Sequence, residues 1–137
     1  MRVRAAPAVK NPNVVRVELA PHPSAASTAR RAALDACAGV DVDRDAIALC
    51  TSELVTNALL HGRPPIELEV SVSARGDTVR VEVRDGGVDQ AEGRRPISSD
   101  TMSGRGLTIV DAIATRWGAD ATSTGHVAWF ELGPAPS

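Results

Sequence analysis

The sequence predicts an α+β fold, a two-layer α/β sandwich whose mixed, mainly antiparallel sheet carries helices on one face. Three observations lead to this prediction. Apolar and polar residues alternate with the period of a half-buried strand in residues 15–19, 66–73 and 79–83. Two long segments between the first two of these strands carry apolar residues at helical spacing. The order of strand, two helices, hairpin, loop, helix and second hairpin is typical of helices layered on an antiparallel sheet.

The first strand and the first helix follow a flexible N-terminal arm. Residues 1–13 contain Pro7 and Pro12 and show no periodicity, so we expect them to form this arm. The strand that follows has alternating apolar residues at Val15, Val17 and Leu19. Ser24 is a suitable N-cap for a helix that runs to about Ala38.

The second helix is the longest predicted element. Asp41 or Asp43 can cap its N-terminus, and it is expected to end at Gly62, because the following Pro64-Pro65 cannot continue a helix. Its apolar residues recur at helical spacing at Ile47, Leu49, Cys50, Leu54, Val55, Ala58 and Leu59.

The C-terminal half changes to the period of strands. The segments from Ile66 and from Val79 flank the turn Arg75-Gly76-Asp77 and predict an antiparallel hairpin. Residues 86 to about 103 are polar and lack periodicity, which predicts a long surface loop, and such loops are usually functional or disordered.

The last elements are one helix and a second hairpin. Apolar spacing predicts a helix through Leu107, Val110, Ile113, Ala114 and Trp117 that ends at Gly118. Two short strands follow, around Ala121 and over 127–132, and residues 133–137 are expected to form a disordered tail. Residues 14–132 are then one domain.

Composition limits the class of function. The chain has 137 residues, with 15 Lys and Arg against 17 Asp and Glu, mixed along the sequence. This balance argues against direct nucleic-acid binding, and the scarcity of aromatic residues argues against base-stacking surfaces. The sequence contains no apolar stretch of membrane-spanning length and no signal-peptide core, so we expect a cytoplasmic protein without membrane contact. Cys37 and Cys50 lack metal-binding spacing and are expected to be core residues.

Two polar side chains lie on an apolar face of the second helix. At about 100° per residue, Glu53 and Asn57 share one face. Their neighbours on the helical wheel are apolar: Ala46, Leu49, Cys50, Leu54 and Leu60. A carboxylate at such a position needs a partner. In one interpretation Glu53 bonds a buried Arg or a helix terminus. In the other, both side chains face a ligand pocket, where an Asn oxygen can hold Mg²⁺ and a Glu can accept a proton.

Two further segments have the chemistry of a nucleotide site. Asp85-Gly86-Gly87 directly follows a strand, and a carboxylate there can accept a hydrogen bond from an exocyclic amine such as N6 of adenine. Ser103-Gly104-Arg105-Gly106-Leu107 opens a helix, whose free N–H groups favour phosphate, and Arg105 adds a positive charge. Each segment is also compatible with an ordinary turn or helix start.

Taken in order, these motifs resemble the Bergerat-fold (GHKL) ATP-binding superfamily of gyrase, Hsp90, histidine kinases and MutL. The segment 52–62, SELVTNALLHG, is similar to the N box of the bacterial anti-sigma factor serine kinases. Asp85-Gly86-Gly87 matches the adenine-binding box in part, because Val88-Asp89 stands where a second glycine is usual. Gly104-Arg105-Gly106-Leu107 matches the second glycine box, and 127–132 resembles the last strand of actinobacterial members.

The resemblance implies ATP and Mg²⁺ as cofactors and a role for each matching residue. Asn57 is implied to bind Mg²⁺, Glu53 to act as base or to position the nucleophile, and Asp85 to bind adenine. Gly87 is implied to approach the base, and residues 88–103 to form the ATP lid, with Arg94 and Arg95 as phosphate or partner contacts. The phosphates are implied to lie at Gly104, Arg105, Gly106 and Leu107, where Arg105 also serves catalysis.

The resemblance also implies partners. Such kinases hold a sigma factor, phosphorylate a serine of a small anti-sigma antagonist, and are commonly homodimers. Two other hypotheses remain: an ATP-gated module that sequesters a partner protein without kinase activity, and the catalytic half of a split histidine kinase. The split histidine kinase would need an upstream helix pair with a phosphoacceptor His, and this sequence contains none.

Overall fold

The structure is a computed structural model and describes residues 13–86 and 106–134. Most of the predicted arm, surface loop and tail lie outside these residues. In chain order the elements are β1 (Val14–Leu19), α1 (Ala25–Ala36), α2 (Arg44–His61), β2 (Ile66–Val72), β3 (Val79–Arg84), α3 (Gly106–Ile113), β4 (Arg116–Thr122) and β5 (Gly125–Leu132). Among the described helices, none has the length and apolarity needed to cross a membrane.

The five described strands form one sheet in the order β1-β2-β3-β5-β4, and every neighbouring pair is antiparallel. The predicted hairpin of β2 and β3 pairs Leu68 with Val83 and Val70 with Val81. These four side chains are buried in a single core with residues of all three described helices. The predicted α+β class, with helices on one face of an antiparallel sheet, is confirmed.

Charged side chains occupy the opposite face of the sheet, in the alternate positions of β3 and β5. Arg80 forms ion pairs with Glu82 at 2.8 Å and with Glu131 at 3.0 Å, and Arg116 approaches Glu131 at 2.7 Å. Burial raises the pKa of Glu131, but its hydrogen bonds with Arg116 and Arg80 outweigh burial and hold the pKa below its ordinary value. Because side chains alternate between the two faces of a strand, these charged residues occupy one face of the sheet and the helices pack on the other.

The start of α2 is determined by a side-chain cap. Asp43, one of the two predicted candidates, accepts hydrogen bonds from the backbone N–H groups of Asp45 at 2.9 Å and Ala46 at 3.2 Å. Such a cap contributes about 1 kcal/mol to helix stability. Ser24 occupies the predicted N-cap position of α1 but makes no capping hydrogen bond with its side chain, and its hydroxyl instead lies 2.9 Å from Nδ1 of His22.

The predicted extension of α3 to Trp117 is wrong. The helix ends at Ile113, and Trp117 lies in β4 opposite Phe130 of β5. Apolar spacing at every third or fourth residue continues past the helix, but pairing with β5 takes the backbone into the sheet. Gly118 therefore ends no helix; a Cβ at this position would lie 2.7 Å from Nε1 of Trp129, so the glycine permits a close approach within the sheet.

Both cysteines are core residues, as predicted. Cys37 and Cys50 are fully buried and free, and burial raises the pKa of each thiol to about 11. At neutral pH they are therefore neutral thiols that pack as small apolar side chains between α1 and α2.

Candidate functional site

A pocket opens where α2 packs against β3 and β5 on the inner face of the sheet. The space inside it that can hold a water-sized molecule is only about 20 Å³, and the surrounding void, which merges with solvent at the mouth, is about 310 Å³. Four polar residues, Asn57, His61, Asp85 and His126, line it together with four apolar ones, Leu54, Ala58, Val83 and Ala128. The fold therefore brings the predicted Asn57 and Asp85 to one pocket, although they are far apart in sequence.

Asn57 is buried in this pocket with an unused hydrogen-bonding group. The residue is 2% exposed, and its Nδ2 has no hydrogen-bond partner among the described residues. The NH₂ donor and the oxygen acceptor of a carboxamide have nearly the same size. Rotating the amide group of Asn57 by half a turn therefore places Oδ1 where Nδ2 lies. An unpaired buried polar group costs about 1–3 kcal/mol, which a ligand or a bound cation's hydration shell can recover. The side chain thus fits the predicted role at a nucleotide and its metal.

Glu53 lies one turn earlier on α2 and does not line the pocket. Two of its apolar neighbours on the wheel lie at the surface, because Leu49 is 42% and Leu60 is 64% exposed. Glu53 itself is half-buried and makes no hydrogen bond or ion pair within residues 13–86 and 106–134. The nearby Arg30 donates to Ser52 at 2.8 Å instead. Among the described residues, the interpretation of Glu53 as the partner of a buried Arg finds no support.

Asp85 is held at the end of β3 by a histidine that the sequence analysis did not single out. Nδ1 of His126 lies 3.0 Å from both carboxylate oxygens, and the backbone N–H of His126 donates to Oδ1 at 3.2 Å. Both side chains are more than nine-tenths buried. The sequence did contain an indication: His126 shares the inward alternation phase of β5 with Ala128 and Phe130, where an imidazole is unusual.

Gly62, at the C-terminus of α2, makes room for Asp85. A Cβ on Gly62 would lie 2.1 Å from Oδ2 and 2.5 Å from Cγ of Asp85. The backbone of Gly62 has φ −104°, a conformation that other residues also adopt. The glycine is therefore required by the contact with Asp85 and not by the backbone conformation. The sequence analysis recognised Gly62 only as the end of the helix and as part of a motif.

We expect Gly62→Ala to weaken ATP binding by about 1 kcal/mol, because the added methyl group displaces the Asp85 carboxylate from its hydrogen bonds. Calorimetric titration of ATP measures this effect, and thermal unfolding of the same variant separates it from loss of the fold. Unchanged affinity would mean that the end of α2 moves instead and leaves Asp85 in place.

The glycine-rich elements are described only in part. Gly86 packs against the loop after α2, where a Cβ would lie 2.2 Å from the carbonyl oxygen of Pro64. Gly106 is the first residue of α3, and Leu107 is buried in the core. The predicted ligand contacts of Gly87, Gly104 and Arg105, and the predicted lid at 88–103, lie outside the described residues.

The fold agrees with that of proteins already known. A model of the histidine kinase-like ATPase domain family matches residues 19–131. The chain belongs to this family. Crystallised RsbU and RsbW domains of Rv1364c from Mycobacterium tuberculosis superpose with a TM-score of 0.63 at 22% identity, over 88% of this chain and 32% of that one. At this identity the likeness shows the fold, which the predicted resemblance to GHKL proteins anticipated.

Two curated relatives of this ATPase domain come from Mycobacterium tuberculosis. Sensor histidine kinase component HK1 and a probable sensor histidine kinase HK are each 32% identical over 98 residues, which cover 64% of this chain. The match covers 57% of the first relative and 26% of the second. The chain therefore spans only part of the length of these relatives.

Membership in the histidine kinase-like ATPase family implies ATP binding, typically with Mg²⁺. The metal-binding side chains of the described residues fit a magnesium ion that binds together with the nucleotide. No cluster of three or more His, Cys, Asp or Glu side chains occurs within the described part of the chain. Mg²⁺ keeps several waters and takes one or two protein oxygens when phosphates supply the rest, so Asn57 alone is a sufficient protein ligand.

We expect Asn57→Ala to abolish the dependence of ATP affinity on magnesium, because the protein oxygen that is predicted to hold the metal is lost. ATP titrations at constant ionic strength, with Mg²⁺ and with a chelator, measure this dependence. Asn57→Asp keeps an oxygen at the same position and is the matched control, in which the dependence persists. A magnesium effect in Asn57→Ala equal to that of the wild type would place the metal elsewhere.

Proposed function

We propose that this chain is an ATP- and Mg²⁺-dependent regulatory protein-serine kinase of the anti-sigma factor type. In this proposal it phosphorylates a serine of an anti-sigma antagonist, sequesters a sigma factor, or does both. Asp85 recognises adenine, Asn57 holds the metal at the phosphates, and Glu53 accepts the proton of the serine hydroxyl or positions it. Arg105 and the second glycine box, Gly104, Gly106 and Leu107, hold the phosphates, with Gly87 beside the base.

One observation carries this proposal most directly: the arrangement of Glu53 and Asn57 on α2 and of Asp85 at the end of β3. Asp85 and Asn57 line the same pocket, and Glu53 lies one helical turn from Asn57, outside it. A nucleotide whose base is at Asp85 and whose metal is at Asn57 extends its terminal phosphate away from the base. A half-buried carboxylate without a bonded partner among the described residues is suited to receive a proton there.

A second candidate, the ATPase half of a split histidine kinase, is favoured by the names of two relatives, which are a sensor histidine kinase component and a probable sensor histidine kinase. The two candidates share the nucleotide site and differ in the acceptor. A serine acceptor needs a base for its hydroxyl, whereas an imidazole nitrogen is itself a nucleophile. The acceptor residue therefore separates them.

The test is transfer of the terminal phosphate of ATP to candidate partner proteins encoded in the same genome, followed by identification of the phosphorylated residue. Phosphoserine resists acid, and phosphohistidine is destroyed by it. The proposal expects an acid-stable product on an antagonist-type protein, formed only with Mg²⁺. An acid-labile product would favour the split histidine kinase. Nucleotide-dependent partner binding without transfer would favour the ATP-gated binding module.

A further inference from the structure

His126 lines the pocket and has a buried polar atom that the roles of Asn57 and Asp85 do not explain. The side chain is 9% exposed, and its Nε2 is buried without a hydrogen-bond partner in the described part of the chain. Buried polar atoms in native proteins are nearly always paired, so an unpaired one on a residue that lines a pocket points to a missing hydrogen-bond partner there. The other ring nitrogen is already engaged with Asp85.

The contact with Asp85 determines which ring nitrogen carries the proton. An ionised carboxylate only accepts hydrogen bonds, so Nδ1 of His126, at 3.0 Å from both of its oxygens, is the donor. Nε2 is then the atom of the ring left to interact with a ligand. It accepts a hydrogen bond when the imidazole is neutral and donates one when the ring is protonated.

The backbone holds this pair in place. The N–H of Asp85 donates to the carbonyl oxygen of His126 at 3.0 Å, which continues the pairing of β3 with β5 by one step. The N–H of His126 donates in turn to Oδ1 of Asp85. Two paired strands and two groups of His126, Nδ1 and the backbone N–H, therefore orient one carboxylate, which is the preorganisation that a recognition site requires.

We propose that His126 is a further base-recognition residue of the proposed ATP site, on which this inference rests. Nδ1 orients the Asp85 carboxylate, and Nε2 forms a second hydrogen bond with the amine-bearing edge of a purine. In adenine, the exocyclic amine has two hydrogens and adjoins a ring nitrogen that accepts. Asp85 takes one amine hydrogen, and Nε2, as an acceptor, takes the second. Hypoxanthine has a carbonyl in place of the amine, so the Asp85 and His126 pair selects adenine against it.

The experiment compares two substitutions that remove different atoms of the imidazole. His126→Asn keeps an N–H donor near the position of Nδ1 and lacks Nε2, whereas His126→Leu lacks both. Each protein is titrated with ATP, with inosine triphosphate and with inorganic triphosphate, and its thermal unfolding is recorded. Inorganic triphosphate has no base and reports the phosphate region alone.

In His126→Asn we expect ATP affinity to fall about three- to tenfold, the range that one net hydrogen bond supports, with the preference for ATP over inosine triphosphate reduced. In His126→Leu we expect a larger loss of ATP affinity and a larger loss of the preference for ATP, because Asp85 also loses its orienting partner. Affinity for inorganic triphosphate is the same in all three proteins.

Wild-type ATP affinity and base preference in His126→Asn would overturn the inference. It would also be overturned by an equal loss for inorganic triphosphate, which would make His126 a structural residue only. Failure of the wild-type protein to bind ATP would be a different result, because it would overturn the proposed function itself.

Discussion

Glu53→Gln is expected to lower the rate of phosphoryl transfer by a factor of about 10²–10⁴, the contribution of a positioned general base. Gln preserves the size and the hydrogen-bonding shape of the side chain but cannot take up a proton at neutral pH. Glu53 lies outside the pocket that contains Asn57 and Asp85, so ATP affinity should remain within about twofold of the wild type. The measurement is the initial rate of phosphate transfer to the partner protein at saturating ATP.

The matched control is Glu67→Gln, the same chemical change at an exposed position of β2. Its transfer rate and its ATP affinity should equal those of the wild type. If Glu53→Gln transferred phosphate at the wild-type rate, the proton would have to go to another group and the proposed role of Glu53 would be wrong. A large loss of ATP affinity in Glu53→Gln would instead make it part of the nucleotide site.

Asp85→Asn should weaken ATP binding by about 1–3 kcal/mol, the cost of leaving a buried hydrogen-bonding partner mismatched. The change affects two contacts at once. The amide presents a donor toward the adenine amine, and it no longer offers two accepting oxygens to Nδ1 of His126, which lies 3.0 Å from each oxygen in the wild type. Calorimetric titration of ATP with Mg²⁺ measures the loss.

Asp120→Asn provides the control for this substitution, because Asp120 is exposed on β4. It should bind ATP with wild-type affinity. Asp85→Asn must also show a cooperative thermal transition, so that weaker binding is not confused with unfolding. If the folded variant bound ATP as well as the wild type, the adenine subsite would not be at Asp85.

The separate components of the candidate site could be predicted from sequence, but their spatial relations could not. Asn57 is recognisable as a polar residue on the apolar face of α2, and Asp85 as an acid directly after a strand. The burial around Glu53 does not follow from its apolar wheel neighbours, because a helical wheel gives the direction of a side chain and not what covers it. Leu49 and Leu60 share the line of Glu53 and remain exposed.

His126 and Gly62 show why long-range contacts escape a local pattern. His126 reaches Asp85 only because β5 pairs with β3, and Gly62 matters only because α2 ends against the same carboxylate. Neither contact produces a periodicity within one segment. The same limit explains the error at Trp117, whose spacing continues that of α3 although its backbone pairs with β5.

The sequence by itself determined the α+β class, the C-terminal end of the long helix and two candidates for its N-cap, the β2–β3 hairpin and the family. These features follow from local periodicity, capping chemistry and motif order, which are properties of neighbouring residues. Only the tertiary structure decided which polar groups share a pocket, which of them are already hydrogen-bonded, and which lack a partner among the described residues. Those properties depend on the register of strands and on burial, which involve residues that are far apart in the chain.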